Sequence, residues 1–551
     1  MTRRMLSSKI VVVLAIMGFV GGVFAIDIPA PGADGKIVLD TASGEYAATT
    51  DVVCTQVVFS ANNISLDLSA DGGKTISIPS TVTTDGFAFS ARDFTASISG
   101  GTWDFGRSAS MRVGKEYHGG SVWFNNTQVD NVGDAYVGDG KNNCMLMLTN
   151  RATLSAKNMR ISSSAGSYCT FELLDGSSAS FSGFLRTEDA RGSSGGNMLK
   201  VDGAESSISV PNSATAIGCG FSNDRMVVSN GGSASLTNLT IGTTFTHQSS
   251  GTTYYATNTV LTVDEATLTL SGDLIIGNSG SSFNKVCIKG ATTRFQRGNP
   301  SGSDPYFGTG GFNEFHVTGG TIITNEFTKN TYIGYQSSNN VVRISDGATM
   351  VQKDDNTVYL GYNYNDEIGS HNAFAVDAGG TNKVNRFIIC GHDNHLVISN
   401  GTFATRRTLG GSLWVGNTVG GAENPRNNGV ILSGTSPRLQ IPGGLTLQNE
   451  SYLRFELAEN GYAAGVVPVS VKDATIAPGC SIEVETAAYL ASNKDSASKV
   501  ELIRATSMLD VNDSVIASAN AALPDRCKLI VEGKSLFLKV SSGKGFVLSF
   551  R

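Results

Sequence analysis

The chain has 551 residues, 65 of them glycine and only 12 proline, with 16% charged residues and a formal charge of −6. So weak a charge, with no run of Lys and Arg, argues against nucleic acid or an anionic membrane as partner. Ser, Thr and Asn carry the polar load, which suits short strands and tight turns.

The first element in the chain is an export signal over residues 1–25. Arg3, Arg4 and Lys9 form a positive start, Ile10 to Val20 is an apolar run, and Val23-Phe24-Ala25 supplies a small-residue cleavage site. No later stretch approaches 18 apolar residues, so the mature chain is expected to lack a transmembrane span and to be secreted or held at the cell surface.

Beyond the signal the sequence repeats itself. VVSNGGSASLTNLTIG ends at Gly242, LTVDEATLTLSGDLIIG at Gly277, FHVTGGTIITNEFTKNTYIG at Gly334 and VRISDGATMVQKDDNTVYLG at Gly361. The closing position falls at 114, 138, 162, 186, 218, 242, 277, 308, 334, 361, 391 and 416, a step of about 27 residues that is typical of solenoids. Gly fills all of these except Ser162 and Arg186, and its freedom at positive φ lets each coil turn a corner. The preceding residues are all apolar: Val113, Val137, Ile161, Leu185, Ile217, Ile241, Ile276, Phe307, Ile333, Leu360, Cys390 and Val415. Strand alternation makes that column an inward face stacked at about 4.8 Å per coil.

The fold class read from this pattern is all-β, a single-stranded parallel β-helix with caps at both ends. Its hand is expected to be right, from the general rule for parallel crossovers. Residues 26–110 form the N-terminal cap and first coils, 111–465 the solenoid, and 466–551 a β-rich C-terminal cap with a short helix near 513–523.

The export signal, the Gly/Asn/Ser-rich coils and the turns SNGG, SDGA and SNGT together resemble bacterial secreted β-helix proteins of the autotransporter-passenger and adhesin type. The resemblance implies display or secretion and brings no catalytic residues with it. About 85 residues follow the last coil, too few for a membrane barrel of the chain's own.

Polysaccharide lyases and hydrolases share the β-helix scaffold, so an enzyme of that class is the alternative reading. Asp354-Asp355 and Gly391-His392 are faintly similar to polygalacturonase motifs. No Asn-Thr-Asp triplet precedes the aspartates, however, and Asp393 follows the histidine. Both sites are read as turns, as is His392-Asp393-Asn394-His395. No catalytic residue, metal site or cofactor is expected.

The eight cysteines include no CxxC pair, against a thiolate zinc site. Cys144 and Cys169 lie one coil apart in near register, which makes them a disulfide candidate, and Cys390 is expected to be an unpaired core thiol. The outward column one residue before the inward one reads Tyr306, Tyr332, Tyr359, Ile389 and Trp414 over the later coils. Tyr306, Tyr332, Tyr359 and Trp414 are the candidate ligand site, an aromatic stripe for a polysaccharide or a surface protein, with Tyr335, Tyr362 and Tyr364 nearby.

Overall fold

The structure, a computed structural model, describes residues 25–542 apart from 90–91, 116, 164–165, 189–194, 221, 247–249, 298–305, 309, 326–329, 353–355, 363–368, 407–410, 419–424 and 495. The export signal, up to residue 24, therefore lies outside the described residues.

Each coil lays down three short strands, as in Glu314–Thr318, Ile322–Asn325 and Thr331–Ile333. The first strands of successive coils pair into one parallel sheet of 18, from Ile26–Asp27 to Ser481–Glu485. The second and third form two further parallel faces. Some strands run through the corner between them, such as Thr153–Ser163 and Ser233–Thr243. The chain is a parallel β-solenoid.

Alternation drives each strand. In Lys285–Lys289 (KVCIK) Val286 and Ile288 are buried while Lys285, Cys287 and Lys289 are partly exposed. The inward column of the third face is continuous, with Ile241 paired to Ile276, Phe307, Ile333, Leu360, Ile389, Val415 and Leu447 in succession. All of them are buried.

Two rungs differ from the sequence expectation. Leu185 pairs with Met159, and Thr187 takes the place beside Ile161, because the strand runs on through Arg186 instead of turning there. Ile389, not Cys390, pairs with Leu360. That coil turns one residue later, at Gly391 with φ 69°. Cys390 is nonetheless fully buried and free, and burial pushes its thiol up to about 12.

The closing glycines serve two ends. Gly334 has φ 69°, and a Cβ placed there would lie 2.3 Å from the side chain of Asn372. Asn372 belongs to a buried ladder of asparagines at the corner between the third and first faces. Oδ1 of Asn313, Asn340, Asn372, Asn394 and Asn428 each accepts the backbone N–H of the ladder residue one coil earlier, at 2.8 to 3.1 Å. An amide can accept and donate at once, so the unit repeats without leaving a buried polar group unpaired.

Parallel pairing continues past residue 466, with Val469–Ile476 on Arg438–Leu447 and Ser498–Val511 on Val469–Ile476. A hairpin then ends the stack. Ser535–Val540 runs antiparallel to both Cys527–Glu532 and Ser498–Val511. A helix over Asp513–Ala522 buries Val515 and Ala519 beside it. Such a cover removes the open edge that would template aggregation.

Candidate aromatic binding corner

The ring cluster begins with Tyr332 and Tyr359, which are paired on adjacent strands. Their rings stack at 5.2 Å between centroids, 8° from parallel. Tyr335 and Tyr362, one residue past the closing Gly334 and Gly361, stack on each other at 5.7 Å. They stand edge-on to the first pair, at 5.6 Å for Tyr332–Tyr335 and 5.1 Å for Tyr359–Tyr362. Offset stacking and T-shaped contacts are the geometries aromatic quadrupoles favour.

This arrangement revises the expected stripe. Tyr332 is only 8% exposed, because Tyr335 and Tyr362 cover it, so it is a supporting ring and not a contact surface. Tyr359, Tyr335 and Tyr362 are half-buried. Tyr306 pairs with Tyr332 through its backbone; its side chain and all of Tyr364 lie outside the described residues. Trp414 is separated from Tyr359 by Ile388, which is buried and takes the register place expected for Ile389. Its ring lies 5.8 Å from the guanidinium of Arg386. The four residues thus do not form one continuous line.

Earlier coils fill the same outward column with internal pairs. Arg112 sits 4.2 Å over the ring of Tyr136, and Arg160 4.6 Å over Phe184. Asp85 holds Arg112 at 2.8 Å and Lys115 at 2.7 Å. Aromatic faces there are occupied by cations of the chain itself.

A second aromatic pair is not evident in the outward column. Phe283 and Phe312 stack at 4.9 Å, 11° from parallel, and are 53% and 50% exposed. Both have left-handed backbone, φ 59° and 58°, a costly state for a bulky side chain. The equivalent places hold Asn223, Asn258, Asn339 and Asn427 on other coils, with similar φ. Each residue of this column directly precedes a ladder residue. The signal in the sequence is a recurring dipeptide ahead of each first-face strand: Phe283-Asn284, Phe312-Asn313, Asn339-Asn340, His371-Asn372, Asp393-Asn394 and Asn427-Asn428. Tyr255, 55% exposed, lies against Gly280 close by.

Cys144 and Cys169 occupy the ladder position of their coils, just ahead of the paired strands Met145–Thr149 and Thr170–Leu173. Both are buried and free. Their sulfurs interact directly: the hydrogen bond to Cys144, followed by burial, raises the Cys169 thiol, and the same bond lowers that of Cys144. Asp354 and Asp355 lie outside the described residues. In the His392–His395 turn Asn394 points inward to the ladder, donating to Cys390 O at 2.6 Å. His395 packs 5.8 Å from the ring of Tyr452, so the turn's side chains diverge. Among the described residues no three His, Cys, Asp or Glu side chains gather as a metal-binding group. No helix among them is long and apolar enough to cross a membrane.

No protein-family model, no curated protein and no solved structure matches this chain.

Proposed function

We propose that the protein is a non-enzymatic adhesive solenoid, secreted or displayed at the cell surface, that holds an extended polysaccharide along its aromatic corner. The observation that carries this reading is the placing of rings on four successive coils at one corner. Phe283, Phe312, Tyr335 and Tyr362 all lie between a closing glycine and the next first-face strand. Two of the four are half-exposed despite a strained backbone, a cost retained where the ring has work beyond packing. Rigid aromatic faces give apolar area with little rotamer entropy to lose, and coils about 4.8 Å apart suit a partner that is itself a repeating chain. The export reading rests on the sequence of residues 1–25.

The test is a glycan array probed with the purified mature chain and with a Phe283→Ser, Phe312→Ser variant. Binding to a defined set of polysaccharides that the variant loses supports the reading. Absence of any glycan bound by the unaltered chain overturns it, and capture of a surface protein through the same rings would replace the polysaccharide with that partner.

A further inference from the structure

The second face carries a feature unrelated to the aromatic corner. Thr153, Ser178, Ser207, Ser233 and Thr267 are in register on five consecutive coils, and so are Ser155, Ser180, Ser209, Ser235 and Thr269 two residues on. The residues between the two columns, Leu154, Ala179, Ile208, Ala234 and Leu268, are buried. All ten outward positions therefore hold a hydroxyl, and none of the ten is buried. Among the described residues Ser155 alone engages a protein group, donating to Asp130 at 3.3 Å and accepting the N–H of Asn131 at 3.1 Å. Among the described residues the other nine hydroxyls have no hydrogen bond from the side chain to protein.

The fold does not demand this composition. Further along the same two columns stand Arg294, Ile322 and Thr349, and Gln296, Thr324, Val351 and Lys383. Outward positions on this face thus tolerate charge, branching and length, yet five coils in succession carry small hydroxyls alone. The two columns hold no charged side chain; Gln128 precedes Thr153 and Asp130 bonds Ser155 at one end, Lys157 lines the same groove as Ser155 and Ser180, and Arg294 follows Thr267 at the other end.

We propose that this array is an ice-binding face, whose ligand is the water lattice at a crystal surface. A hydroxyl is donor and acceptor together. Strand spacing and residue rise set the array on a grid of about 4.8 Å by about 6.6 Å, the shorter spacing lying near the repeat of oxygens along a row in ice. The pairing across these five coils has no register shift within the grid, so the spacing is held rigidly by the buried side chains beneath. Other ligand classes fit less well. Sugar and peptide sites draw on planar amides, carboxylates and aromatic faces, and ion sites on charge; the grid has none of these. Water held on such a grid is already spaced as a lattice would require, which lowers the cost of joining it to a growing crystal.

The experiment measures inhibition of ice recrystallisation by the mature chain, with circular dichroism to confirm that each variant is folded. A Ser180→Lys, Ser209→Lys variant places bulk and charge in the grid, and a Ser180→Ala, Ser209→Ala, Ser235→Ala variant removes hydroxyls without adding bulk. A Thr349→Lys, Thr381→Lys variant alters the same face outside the grid. The expected result is inhibition by the unaltered chain, lost in the lysine grid variant, weakened in the alanine variant and kept in the outside variant. No inhibition by the unaltered chain, or equal inhibition by all four, overturns the proposal. Binding of the grid to powdered cellulose or chitin in place of ice overturns it in favour of a crystalline polysaccharide. Glycan binding through the aromatic rings is measured separately and is unaffected by either grid variant.

Discussion

The backbone N–H and the side-chain amide of Asn313 both donate to the same oxygen, Oδ1 of Asn340, each at 3.1 Å. Asn340 repeats the pattern on Asn372 at 2.9 and 3.0 Å. Replacing Asn340 by Ala leaves the buried N–H of Asn313 without its acceptor, at a cost of about 1–3 kcal/mol. In a stack where each coil touches only its neighbours the loss stays local. Native-state hydrogen exchange should quicken around Asn313 and Asn372 and remain unchanged near Cys144; uniform quickening would count against a ladder built of independent rungs.

Asp224 shows what happens when the ladder carries a carboxylate. Its Oδ1 accepts the N–H and Nδ2 of Asn197 at 2.9 and 3.1 Å, and burial raises its pKa from 3.8 to about 6. The folded state therefore holds this proton more tightly than the unfolded one. The contribution to stability is full below about pH 4, falls as pH rises to about 6, and is lost above that. Asp224→Asn should remove that slope and raise stability at pH 7 by roughly 2–3 kcal/mol. Urea unfolding at pH 4, 5, 6 and 7 checks this, and an unaltered slope in the variant would assign the pH dependence elsewhere.

Gly334 is constrained by both backbone and space. Alanine there must hold φ 69° and meet the Asn372 side chain at 2.3 Å, so Gly334→Ala should destabilise by about 1–3 kcal/mol. Its neighbour Ile333, buried in the inward column, should lose about 2–5 kcal/mol on truncation to Ala. Thermal melts of the two variants, compared with Gly347→Ala at a turn where nothing lies within 4 Å of a Cβ, separate strain from crowding.

Cys144 and Cys169 meet as free thiols in the ladder column. Incubation of the folded chain with oxidised glutathione should join them, with reduced glutathione released and two hydrogens lost from the protein. Peptide mapping should find this pair linked while Cys390, buried alone, stays free. A pair left unlinked after the coil has exchanged its amide hydrogens would show that the sulfurs cannot reach bonding geometry.

The solenoid was legible because each coil keeps the same inward place, from Val113 to Val415. Register slipped at Arg186, which extends a strand, and at Cys390, an extra residue between the paired Ile389 and the closing Gly391. The candidate site was less legible. Alternation puts Tyr332 on the outer side, but it carries no information on what Tyr335 and Tyr362 do after the corner, and these bury it. The Phe283–Phe312 pair and the asparagine ladder depend on corner residues, to which a two-residue strand period is blind. Only the recurring Xaa-Asn dipeptide marks them.

If the rings at this corner hold the proposed polysaccharide, calorimetric titration of an array-identified glycan into the unaltered chain should show binding, and a Tyr335→Ala, Tyr362→Ala variant should lose at least about tenfold, or 1.4 kcal/mol, with circular dichroism unchanged. Equal affinity in the two folded proteins would contradict that reading.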